Sequence, residues 1–328
     1  MRIGLSESRA AGKRIDALDV ARGVALVAMA TYHFSWDLDY FGYLPPGSST
    51  TGVLKLYARS IASSFLFLVG VGLVLAHANG IRWRAFARRW AKIAAAALLI
   101  SVVTYFATPQ SFVFFGILHH IAFASIAGLA FLRLPWWALL VLAAATFAVT
   151  PLLQAPHFAT MATYWTGLSS IQPQTNDFVP VLPWFSAVLA GMGVGRLVFI
   201  ARTPPPALTP GGWNAKSAVS RLLALFGRWS LTFYLLHQPI LFGLVLAYAQ
   251  VFPAAQDFSS ACNRACAPQF GVERCIAYCT CAEAELAAAD KLTLLETDPS
   301  LAQTDLETSA IIAQCAFEAG INANEQSQ

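Results

Sequence analysis

A chain of 328 residues, 57% hydrophobic and only 12% charged, is not composed like a soluble enzyme, which carries about 25% charged residues. The net charge of +4 says little until it is divided between two sides of a membrane, and nothing in the chain points to a nucleic-acid partner. The expected class is an all-α polytopic membrane protein with about seven transmembrane helices and a small cysteine-rich helical C-terminal segment.

In chain order, the apolar segments run over residues 18–35, 58–78, 92–108, 112–132, 135–151, 180–200 and 230–251. Each approaches the ~20 residues that cross the hydrocarbon, the fifth being the shortest. Asp16, Asp19 and Arg22 flank and interrupt the first, and no small-residue cleavage site follows it, so it reads as a retained signal anchor. Breakers such as Pro45-Pro46-Gly47, Pro109, Pro135, Pro151 and Pro204-Pro205-Pro206 mark the loops. The organisation expected is a cytoplasmic segment 1–17, a transmembrane domain 18–251 and an acidic extracytoplasmic tail 252–328.

Basic residues set the orientation. Sixteen of the 21 Lys and Arg fall on one side of the expected topology: Arg2 to Arg22, Arg82 to Lys92, Arg133, and Arg196 to Arg228. Before the tail only Lys55 and Arg59 fall on the other. The positive-inside rule makes the N-terminus cytoplasmic, and seven crossings place the C-terminus outside. A multi-pass protein of a bacterial-type inner membrane is implied, with the lipid bilayer as its first partner.

The tail holds 11 acidic and three basic residues, a net −8, and all six cysteines. Cys262/Cys266 and Cys275/Cys279 have i,i+4 spacing, which puts each pair on one helical face. Two such turns facing each other can be cross-linked twice, leaving Cys281 and Cys315 as a third pair; six cysteines allow 15 pairings, so the connectivity is not deducible from the sequence. An even count outside the cytoplasm favours disulfides. The competing readings are a metal site and free structural thiols; since no histidine lies in the tail and neither pair has the two-residue zinc spacing, no metal is expected.

Helix one carries the chemistry candidates. Arg22 and His33 are eleven residues apart, nearly the same face at ~100° per residue and ~16 Å apart along the axis. Ionisable groups at membrane depth default to functional hypotheses. Asp19 is i,i+3 from Arg22, and Asp37 is i,i+4 from His33, where it could orient the ring of a general base. The bland alternative is that both simply snorkel to the two surfaces.

Helix four contains the adjacent His119 and His120; lying ~100° apart, at most one faces a common interior. Asp177, Trp184 and Trp36 mark the outer interface, where Trp is also expected as a belt residue. Gly191, Gly193 and Gly195 read as close helix packing and not as a phosphate loop. In the last helix, His237 and Gln238 precede Pro239, which should kink or locally unwind it. The alternative for this pair is a plain helix–helix hydrogen bond.

Together, helix one, Phe115-Gly116-Ile117-Leu118-His119, the stretch Asp177 to Phe185, and Gly227-Arg228-Trp229-Ser230-Leu231 with His237-Gln238-Pro239-Ile240 resemble bacterial members of the heparan-α-glucosaminide N-acetyltransferase catalytic-domain family. That family belongs with the transmembrane acyltransferases, whose acyltransferase-3 branch carries Arg-x10-His in its first helix; Arg22 and His33 fit this spacing. The resemblance covers roughly residues 13–250. It implies transfer of an acyl group, acetyl above all, from cytoplasmic acyl-CoA to a hydroxyl or amine of an extracytoplasmic sugar or glycan. Acyl-CoA is then the co-substrate. Arg22, with help from Arg228, would hold its phosphates, and Asp19, i,i+3 from Arg22, belongs to the same cofactor site. His33 with Asp37 would activate the acceptor, which would approach past Trp36, Asp177, Trp184, His119, His237 and Gln238. Two other classes stay open: a transporter without covalent chemistry, and a scaffold displaying the braced tail. Acyl group, acceptor, direct transfer against an acyl-enzyme, and homo-oligomerisation are left undecided.

Overall fold

The computed structural model describes residues 15–45, 47–201, 204–209, 212–254, 258–298 and 300–321. Arg2, Arg9, Lys13, Arg14, Pro46 and Arg202, singled out above, lie outside the described residues. Each of the seven apolar segments is a helix: α1 (Asp16–Tyr40), α2 (Gly52–His77), α3 (Trp83–Ala107), α4 (Ile117–Phe131), α5 (Trp136–Leu153), α6 (Val181–Arg196) and α8 (Ser230–Val251). The amphipathic α7 (Ala218–Arg228) stands between α6 and α8. Trp229, with φ −102 and ψ 28, caps α7, so Gly227-Arg228-Trp229 stand before the last helix and α8 starts afresh at Ser230.

Among the described residues, five helices are long and apolar enough to cross a membrane, namely α2, α3, α5, α6 with the turn that follows it, and α8. The short fifth segment qualifies with 18 residues, whereas α1 and α4 fall outside the set. Charge explains α1, whose 25 residues include Asp16, Asp19, Arg22, Asp37 and Asp39. Length explains α4: 15 residues rise about 22 Å, short of a ~30 Å hydrocarbon core. The kink expected at Pro239 is absent as a break; α8 stays helical through it. A proline removes one backbone bond, which a helix held on both sides tolerates.

The chain divides into two compact units, and the division falls inside α1 and α8: residues 1–29 with 60–236, and residues 30–59 with 237–328. In the first, α5 packs along α6 and α3 along α4. Its core gathers Leu66, Leu73, Ala124, Leu139, Val188 and Met192, all nearly inaccessible. The backbones of α2 and α6 touch through two glycines: a Cβ at Gly70 would lie 2.1 Å from the Val188 carbonyl oxygen, and one at Gly191 would lie 2.0 Å from that of Phe67. The close-packing reading of the α6 glycines therefore holds.

In the second unit, the turn after α1 is organised by one carboxylate. Asp39 accepts from the backbone N–H of Gly47 (3.1 Å) and Ser49 (2.8 Å) and from the Ser49 hydroxyl (2.6 Å). Gly47, at φ +75, lies under Val272 and Ile276 of the tail. The tail is helical: α9 (Phe258–Phe270), α10 (Val272–Ala288), α11 (Leu292–Thr297), α12 (Leu301–Thr304) and α13 (Leu306–Glu318). Disulfides join Cys262–Cys279, Cys266–Cys275 and Cys281–Cys315, the facing arrangement that the spacing predicted. Ala282, Leu286, Leu295 and Cys315 form its small core.

Candidate active site

Three polar clusters occupy the segments that carried the sequence motifs. In the first unit, Arg22 donates to Asp19 at 3.0 Å, while Arg228 donates to Asp16 at 3.0 Å and lies 3.5 Å from Asp19. A glycine makes this meeting geometrically feasible: a Cβ at Gly227 would fall 1.8 Å from the Asp19 carbonyl oxygen, so only glycine lets α7 approach α1 there. Asp16 was not singled out as a site residue. Nothing in a linear reading reveals that its partner is 212 residues away. Two guanidinia balance two carboxylates, yet each guanidinium has five N–H donors, and one ion pair leaves most of them for another acceptor. Arg89, on α3, lies within electrostatic reach of Arg22 and Arg82.

The second cluster, also in the first unit, surrounds the start of α4. His119 Nδ1 accepts from the Gly116 N–H at 3.2 Å, and its Nε2 lies 3.0 Å from the Ser101 hydroxyl. Ser101 donates onward to the Val113 carbonyl at 2.6 Å. These bonds assign the neutral Nε2–H tautomer and employ both ring nitrogens. His120 faces elsewhere, as the 100° offset requires. It is fully buried, and its Nδ1–H lies 3.1 Å from the Val179 carbonyl and 3.2 Å from that of Pro180. Asp177 accepts the Ile117 N–H at 2.9 Å and bonds the Tyr234 hydroxyl. Desolvation raises its carboxyl above the ordinary range, against the opposite pull of these two bonds. It caps α4 from a distant loop instead of standing open at an interface. Trp184 packs on the core around Phe185 and Leu189, not as an isolated belt residue.

In the second unit the expected His33–Asp37 pairing gives way to two others. The His33 ring lies edge-on to His237, centroids 4.9 Å apart and planes at 64°. Asp37, with 0% exposure, accepts from Gln238 Nε2 at 2.7 Å. Spacing of i,i+4 permits contact along a helix but does not compel it, and a side-chain amide two hundred positions downstream takes the carboxylate. Trp36 stacks on Tyr40 at 5.4 Å. Among the described residues no group of three or more His, Cys, Asp or Glu side chains could hold a metal ion.

All three clusters fall inside one match. The sequence profile of the heparan-α-glucosaminide N-acetyltransferase catalytic domain covers residues 14–239. The chain belongs to this family. No curated protein and no solved structure matches the chain. As a member of the heparan-α-glucosaminide N-acetyltransferase catalytic-domain family, the protein is an acyltransferase-type membrane protein. The match stops at residue 239, so the braced tail lies outside it.

Proposed function

We propose that the protein moves an acetyl group from cytoplasmic acetyl-CoA to a hydroxyl or amine of a sugar or glycan on the far side of the membrane. Family membership over residues 14–239 is the observation that carries this reading. The chemistry of α1 suits it: Arg22 matches phosphate oxygens, and His33 is a base of suitable type on the same helix. Arg89 adds positive charge near Arg22, with Arg82 in turn near Arg89, charge that the linear reading assigned only to topology. Asp19 holds Arg22 in place, and Arg228 in turn is held by Asp16 and Asp19.

In the direct route, His33 takes the proton of the acceptor O–H or N–H as that atom attacks the thioester carbonyl. The C–S bond then breaks, and the CoA thiolate leaves to be protonated. General-base assistance contributes roughly 10²–10⁴ in rate. In the two-step route, the His33 imidazole attacks the thioester carbonyl, the C–S bond breaks and CoA leaves as its thiolate; the acceptor O–H or N–H then attacks the acetyl-imidazole, the acetyl–nitrogen bond breaks, and the acceptor proton passes to the freed imidazole. His237, packed against the His33 ring, constrains its orientation in either route.

The test uses purified full-length protein in lipid nanodiscs with radiolabelled acetyl-CoA, beside glycan mass spectrometry of a deletion strain. Loss of an acetyl mass in the strain and acceptor-dependent CoA release in vitro are expected. His33→Ala should lower transfer by at least about 10²-fold while acetyl-CoA still binds. Arg22→Ala should chiefly raise the acetyl-CoA KM. Near-normal transfer by His33→Ala would move the base elsewhere, with His237 the next candidate.

A further inference from the structure

Asp37 and Gln238 present a contradiction to ordinary burial. Asp37 is 0% exposed and accepts one hydrogen bond, at Oδ1, from Gln238 Nε2. Its second oxygen, Oδ2, and the Gln238 carbonyl oxygen Oε1 are both buried with no hydrogen-bond partner among the described residues. Buried polar atoms are nearly always satisfied, so two adjacent orphans call for an explanation. A carboxylate oxygen and an amide oxygen can only accept, so what completes them must donate. His33 lies one helical turn before Asp37, and His237 immediately precedes Gln238, the two rings in contact. The orphan acceptors therefore stand beside the group assigned as the base.

We propose that Asp37 and Gln238 form the acceptor-positioning pair: Oδ2 and Oε1 receive two neighbouring donors of the acyl acceptor, so the enzyme prefers a vicinal diol or amino alcohol over an isolated hydroxyl. The inference rests on the acyl-transfer reading and deepens it. Asp37 then acts on the acceptor and not on the His33 ring, which accounts for its turning toward Gln238. No proton changes hands at Asp37 or Gln238. The reacting hydroxyl or amine passes its proton to His33, and its neighbour stays bonded to the pair. A bound cation would also complete the two oxygens, but only one carboxylate is present and no cluster of three acidic, His or Cys ligands exists among the described residues.

The experiment measures acetyl transfer by the nanodisc protein to methyl β-D-glucopyranoside, its 2-deoxy and 3-deoxy analogues, and D-glucosamine. Removal of the donor next to the acetylated position should lower kcat/KM about tenfold or more, since the pair is left half-satisfied. Gln238→Met, of similar length, should raise the acceptor KM and shrink that discrimination below about threefold, with the acetyl-CoA KM little changed. Equal rates with the glucoside and all its deoxy analogues would overturn the pair while leaving acyl transfer intact. Parallel loss of kcat at unchanged acceptor KM in Gln238→Met would make Gln238 structural and also overturn it. Activity that follows added sodium or potassium in place of acceptor hydroxyls would assign the oxygens to a cation. Absence of acetyl transfer to every probe would overturn both this pair and the reading on which it rests. The deoxy series on the unmodified protein stands even where a variant fails to fold.

Discussion

At the scale of residues, the polar side chains of this protein separate into those whose bonding is complete and those left with capacity. His119 belongs to the first kind: both ring nitrogens are occupied by Gly116 and Ser101. His119→Ala should cost about 1–2 kcal/mol of stability through the lost cap of α4, while the folded variant keeps acetyl transfer. Thermal unfolding beside a transfer assay checks this, and a stable but inactive His119→Ala would return the residue to the chemistry. Asp305 is complete in a different way. It caps α13 by accepting the Thr308 N–H and hydroxyl, and these bonds, with Lys291 beside it, hold its carboxyl down to about 2. A carboxyl depressed below its unfolded value of about 4 stabilises the fold above pH ~4 and loses that contribution as pH falls toward ~2. Hydrogen exchange of tail peptides should therefore accelerate across that window, and Asp305→Ala should flatten the acid dependence. An unchanged acid profile in the variant would remove Asp305 from that role.

At the scale of elements, close approach and cross-linking do the work that length and hydropathy cannot. Gly227 lets α7 reach the α1 backbone, and a methyl group there would overlap the Asp19 carbonyl. Gly227→Ala should destabilise the protein by about 1–3 kcal/mol and raise the acetyl-CoA KM, because Arg228 is drawn off Asp16 and Asp19. An unchanged melting temperature would mean that α7 is free to move aside. The tail relies on covalent constraint, because its core is only a few side chains. Chain-entropy reasoning assigns each disulfide about 3 kcal/mol, so reduction should open α9 and α10. Mass-resolved hydrogen exchange over residues 258–321, with and without a phosphine reductant, should show loss of protection there. Retained protection after full reduction would show that helix packing alone suffices.

At the scale of the whole molecule, reporter fusions at Gly211 and Gln328 are expected to report opposite sides, following the distribution of basic residues. Same-side signals would require a different number of crossings. Hydropathy and breakers alone located seven helices, of which five among the described residues are long and apolar enough to cross a membrane, because an apolar run of that length has few other stable fates. Cysteine spacing alone anticipated that Cys262 and Cys266 face Cys275 and Cys279 and that Cys281 and Cys315 are the third pair, while the pairing within the facing set, Cys262 with Cys279 and Cys266 with Cys275, was decided by the structure. The residue pattern alone also pointed to the acetyltransferase family that the profile match bears out. Tertiary structure decided what each polar group bonds. Asp37 turned to Gln238 across 201 positions, Asp177 to the Ile117 N–H across 60, and Arg228 to Asp16 across 212. Helical periodicity fixes the face on which a side chain stands, but its partner is whichever complementary group packing brings within about 3 Å, and that depends on the path of the entire chain.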